Sequence, residues 1–139
     1  MSFENMKSIN QTGIHERACM LMYHFTSREM QQIQNVARMT GITDCILLKP
    51  CHGENKVRNI LDGEIEQSEV EGLKEKAIIL NHISSARMNA FIEGLKKCRI
   101  QRPLIAVVTE TSINWSLNEL LSNLVQERIA VRSGEFTGH

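Results

Sequence analysis

Four apolar runs of strand length, residues 19–25, 45–48, 77–80 and 104–108, are each continuous rather than alternating. A strand with one wet face alternates apolar and polar residues, whereas a strand covered on both faces reads as an unbroken hydrophobic run. A chain carrying such runs needs helices on both sides of its sheet. The segments between the runs supply them. Met88, Phe91, Ile92 and Leu95 follow the spacing of one buried helical stripe, and Leu117, Leu120, Leu121, Leu124 and Val125 repeat it. Met30, Ile33 and Ala37 give a plainer stripe that Gly41 stops, and Val57, Ile60 and Leu61 suggest a short helix closed by Gly63. An acidic segment through Glu71 then reads as solvated.

Start signals agree with these elements. Thr26 with Glu29 and Ser116 with Glu119 have capping-box spacing, and Ser84 is the matching cap for the third helix. Pro50 follows the second strand and Pro103 precedes the fourth, where a missing amide proton costs the ladder little.

An offset of 58 residues places His24 on His82, Thr26 on Ser84, Met30 on Met88 and Ile42 on Ile100, so strand, turn, helix and strand coincide. This β-α-β echo fits two architectures. The preferred one is a small three-layer, doubly wound α/β sheet of mainly parallel strands in order 2-1-3-4, with a C-terminal helix. The alternative is a ferredoxin-like α+β sheet, antiparallel and with helices on one face. The domain is expected over residues 17–131, with a polar lead-in at 1–16 and a flexible tail at 132–139.

Composition narrows the partners. Sixteen Lys and Arg balance sixteen Asp and Glu in 139 residues, so the basic excess that phosphate binding needs is missing. Neither nucleic acid nor a membrane surface is expected as a partner. No apolar run approaches the roughly twenty residues of a membrane helix, and the first sixteen lack a signal-peptide core, which points to the cytoplasm. The four cysteines form no C-x-x-C pair, so they read as free thiols rather than a zinc or redox site. No cofactor is expected, because no glycine-rich phosphate loop occurs.

In a parallel sheet, ligands bind beyond the carboxyl ends of the strands. That rule gathers His24, Ser27, His82, Ser85, Thr109, Thr111, Asn114 and Trp115 as candidate ligand-binding residues at one rim. If His24 and His82 face each other, Cys51 or His52 could add a third metal donor; otherwise each His caps a neighbouring turn. Antiparallel first and third strands would put the two histidines at opposite ends. Cys51 beside His52 is also the one thiol placed in a loop, where an imidazolium could raise its thiolate fraction, although adjacent side chains often point apart. Helix N-termini at the rim would favour a small anionic ligand, but capping alone explains their hydroxyls.

Trp115 precedes the Ser116 cap and can pack on Leu120 as a hydrophobic staple. The stretch from Pro103 through the Thr109-Glu110-Thr111 run, Asn114-Trp115, the Leu117, Leu120, Leu121, Leu124 stripe and Glu127 resembles a bacterial family, the domain of unknown function 3783. The resemblance covers about residues 76–128. It implies a small bacterial cytoplasmic protein and draws notice to Thr109, Glu110, Asn114, Trp115 and Glu127 without giving them roles.

The expected function is a non-enzymatic ligand-binding or protein-interaction module that forms a homo-oligomer. The alternative is a metal-dependent or anion-processing enzyme at the rim, with no catalytic residue assigned.

Overall fold

The computed structural model describes residues 15–133, with side chains as far as residue 129. The expected lead-in and tail therefore lie outside the described residues, apart from their inner ends. In chain order come β1 (Cys19–Tyr23), α1 (Ser27–Met39), β2 (Cys45–Leu48), a 3-10 turn (Pro50–His52) and α2 (Val57–Leu61). Then follow β3 (Ala77–Asn81), α3 (Ser85–Lys96), β4 (Leu104–Val107), a second 3-10 turn (Ser112–Asn114) and α4 (Leu117–Ser133). The sheet has the expected order, β2-β1-β3-β4.

Burial explains the unbroken apolar runs. Every residue of β1 and β3 is buried. Met20, Met22, Ile78 and Leu80 pack under α1 and α3 with Ile33, Ala37, Phe91 and Leu95. Their neighbours Leu21, Tyr23, Ala77 and Ile79 face the opposite layer, with Val57, Ile60 and Leu61 of α2 and Leu117, Leu120 and Leu121 of α4. Successive strand residues point to opposite faces, so two covered faces demand an apolar residue at every position.

The sheet is α/β and mostly parallel, with one antiparallel pair at its centre. β1 pairs with β2 and β3 with β4 in parallel, but β1 meets β3 antiparallel, Cys19 opposite Asn81 and Tyr23 opposite Ala77. The mainly parallel sheet expected from the sequence departs from parallel pairing at this one junction. Its cause is the number of passes the chain makes between β2 and β3. α2 carries the chain from the carboxyl end of β2 to the opposite end of the sheet, where the Leu61 carbonyl accepts from Arg17 Nη1 at 2.9 Å and Asp62 meets His15. The acidic segment then returns: Ser68 N–H donates to the Cys51 carbonyl and Gly72 N–H to the Pro50 carbonyl, both at 2.9 Å. Tyr23 Oη donates to the Leu73 carbonyl at 2.6 Å. Two passes bring β3 in from the end at which β2 finished, so it runs down instead of up.

The echo becomes an approximate two-fold axis. The β1–β3 register is centred on Leu21 opposite Ile79, two positions that the 58-residue offset makes equivalent. Across the second layer, Lys56 bridges Ser116, Val57 N–H donates to the Trp115 carbonyl at 2.9 Å and Leu117 N–H to the Asn55 carbonyl at 2.8 Å. That exchange is itself two-fold. His24 and His82 both adopt left-handed backbone, at φ 67° and 57°, each just before a helix cap. Thr26 accepts from Glu29 N–H with the reciprocal bond present, and Ser84 accepts from Arg87 N–H. Each half is thus a strand, a left-handed histidine turn, a capped helix, a strand and a second-layer helix.

The base of β1 is tied down by polar groups. His15, expected in the lead-in, is 6% exposed, with Nε2 2.9 Å from Asp62 Oδ1. Asn81 Nδ2 donates to the His15 and Arg17 carbonyls, and Arg17 grips Asp44 through two bonds, at 2.7 and 3.0 Å. The bonds from Arg17 hold the Asp44 carboxyl below its ordinary value of 3.8, against a smaller opposing effect of burial. A carboxylate whose pKa is depressed by folding stabilises above its unfolded pKa and loses that contribution as pH falls through the folded one. Asp44→Asn should therefore be less stable than the parent by a gap that is full above about pH 5 and closes on acidification. Urea unfolding at stepped pH measures it, and a gap constant down to the acid limit contradicts the assignment.

Candidate functional site

The antiparallel centre divides the expected rim in two. His24 lies at the Tyr23–Ala77 end and His82 at the Cys19–Asn81 end, so the histidines stand about 20 Å apart along the sheet. Ser27, Cys51 and His52 belong to the end of His24, and Ser85, Thr109, Thr111, Asn114 and Trp115 to the end of His82. The paired-imidazole metal site does not form. Among the described residues no group of three or more His, Cys, Asp or Glu could hold a metal ion.

Most of the individual candidates are explained by local structure. Ser27 and Ser85 are exposed first residues of helices whose caps are Thr26 and Ser84. His52 Nδ1 accepts the Lys49 N–H at 2.9 Å, and burial, helped by Lys49, lowers its pKa. That ring nitrogen is engaged by its own turn. Burial pushes the Cys19 thiol up to about 12 and raises Cys45 as well, which keeps both protonated at neutral pH. Asn114 accepts from the Arg58 guanidinium of α2, tying the two halves together, and Thr111 opens the second 3-10 turn.

Beside His24, Lys74, Lys76, Arg102 and Arg128 line a cavity of about 160 Å³. Its charges are largely answered: Lys76 Nζ lies 2.6 Å from Glu29 and Arg128 Nη2 2.9 Å from Glu75. Burial alone would raise the Glu29 carboxyl, but Lys76 and the Thr26 bonds together hold it low.

Thr109 and Trp115 are different, because they converge on a cavity of about 370 Å³ between β4 and α4. Thr109 is locked by a turn in which its N–H donates to Ser112 Oγ at 2.9 Å and Ser112 N–H returns to Thr109 Oγ1 at 3.0 Å. Trp115 packs with Leu120 and Leu124 against the α2/α4 layer, and Asn123 and Glu127 supply the polar wall. On the other face of the same strand, Ile92, Leu95, Ile100, Pro103 and Ile105 line a second cavity of about 250 Å³, with Lys96 and Arg102 at its mouth. Ile105 borders both.

Among the described residues β4 ends the sheet, so one side of it has no strand partner among them. Leu104 N–H donates to Lys76 and Val108 N–H to Leu80, at 2.9 and 3.0 Å, so the even-numbered residues bond inward. By the alternation of a parallel ladder, Ile105 and Val107 turn their N–H and C=O groups to the open side. Val107 is 42% exposed. Sequence reasoning missed Ile105, Val107, Ser112 and Asn123 as site residues. A usable signal was present: in the order 2-1-3-4 the fourth strand is necessarily an edge.

Residues 76–131 match the family model described as Domain of unknown function (DUF3783). The match begins one residue before β3 and spans the second half of the two-fold, including both walls of the β4–α4 cavity. No curated protein and no solved structure matches the chain.

Proposed function

We propose that this chain is a protein-interaction module that takes an extended chain segment onto the open side of β4. One observation carries the reading: a strand edge that is unpaired among the described residues, with an apolar-lined cavity along each of its faces. A segment added as a fifth strand would satisfy the outward backbone groups of Ile105 and Val107. Its alternate side chains would drop into the two cavities, one toward Trp115 and the other toward Ile92. Main-chain bonds would supply affinity and the cavities selectivity. Strand addition needs no cofactor and no reacting group. Four unpaired cysteines support a reducing compartment, the cytoplasm. No helix among the described residues is long and apolar enough to cross a membrane.

A display library of randomised eight-residue peptides tests this. Selected peptides should shift the amide resonances of Ile105 and Val107 together with the Trp115 indole. Val107→Pro deletes an outward donor while leaving the bonds to β3 in place, so it should abolish binding and keep the fold. Peptides that bind without touching β4, or that ignore the proline, count against strand addition.

A further inference from the structure

We infer that the segment received at β4 is β4 of a second copy of this chain, paired antiparallel about Ala106; this rests on strand addition at the edge as proposed above. The register is self-complementary. With a two-fold axis at Ala106, Ile105 of one copy lies opposite Val107 of the other, and both residues carry the outward backbone groups that an antiparallel bonded pair exchanges. The contact is apolar at its centre. Arg102 and Glu110, both exposed, flank β4 at equal sequence distance from Ala106, so the two-fold axis puts the guanidinium of each copy on the same side as the carboxylate of the other. A C2 contact needs this pattern, in which one patch complements itself.

The other edge fits the role less well. β2 is likewise unpaired on one side among the described residues and exposes Leu47, the counterpart of Val107, but its flanking Asp44 is already gripped by Arg17. An extended sheet edge with exposed apolar residues is a pairing template unless it is covered. Pairing at β4 converts two four-stranded sheets into one of eight strands and buries Val107.

Sedimentation of the full chain with a charge-reversal series tests the register. The wild type should be a dimer, and Val107→Pro or Val107→Lys a monomer with an unchanged circular dichroism spectrum. Arg102→Glu sets two like-charge pairs across the axis and should weaken association about tenfold, while Arg102→Glu with Glu110→Arg should restore it. These rim substitutions leave the core untouched, so they report even if a strand variant misfolds. A wild-type monomer overturns the dimer, as does an open series of higher oligomers or a double reversal that fails to rescue. A monomer whose Ile105 and Val107 amides still respond to library peptides overturns the dimer while strand addition stands. A dimer indifferent to every β4 variant, with no peptide response, overturns both.

Discussion

Phe91→Ala is expected to cost about 3–5 kcal/mol of stability, the largest single effect at any position described here. The ring is fully buried beneath α3, among Met20, Met22, Ile78 and Leu80 of the two central strands and Ile33 of α1. α1 and α3 touch each other across the two-fold axis, so the ring helps to join the halves as well as to cover the sheet. Truncation removes apolar surface and leaves a cavity that a strand buried on both faces cannot collapse to fill. Ile33 is its counterpart in the first half, and Ile33→Val should cost only about 0.5–1.5 kcal/mol. Denaturant unfolding of both variants, with exposed Ile129→Ala as a control within about 0.5 kcal/mol of the parent, measures the series. A Phe91→Ala loss below about 1 kcal/mol would mean that this layer is far looser than its burial implies.

Gly53→Ala should destabilise by about 1–3 kcal/mol, through overpacking rather than backbone strain. Gly53 has φ −66°, a conformation open to any residue, so its glycine is there for space. A Cβ at that position would overlap the side-chain amide of Asn118. That amide has little room to move: its Oδ1 accepts from Leu73 N–H at 3.3 Å, and Asn118 N–H donates to the Gly53 carbonyl at 2.9 Å. A Cβ on Gly72 would strike the same oxygen and crowd the Tyr23 hydroxyl. Asn118 thus sits between two glycines and fastens the returning acidic segment to the start of α4. In the Asn118→Ala background the Gly53→Ala penalty should shrink, giving a double-mutant coupling of about 0.5–3 kcal/mol. Additive losses would show that the crowding lies elsewhere.

The acidic segment also shows why part of the fold was hidden. Residues 64–71 have no apolar period and read from sequence as solvated. The returning segment is fastened by hydrogen bonds to Asn55, Asn118, the Tyr23 hydroxyl and the Pro50–His52 turn, with only Ile65 and Leu73 packed against the core. Such bonds leave no side-chain pattern to read. The extra pass that they stabilise reverses β3, and that reversal separates His24 from His82. Thr109 and Trp115 kept their place in the site because they share one loop with β4 and need no long-range geometry to be neighbours.

Local chemistry in the chain was sufficient for the elements themselves: continuous apolar runs for doubly covered strands, helical stripes and hydroxyl caps. Each of these follows from side-chain pattern and short-range sterics. Tertiary structure alone decided the direction of β3, the two-fold axis through Leu21 and Ile79, and which backbone groups of β4 face outward. Strand direction depends on the parity of chain passes and edge exposure on which strand lies beside which. Both are properties of the assembled sheet, and no single segment encodes them.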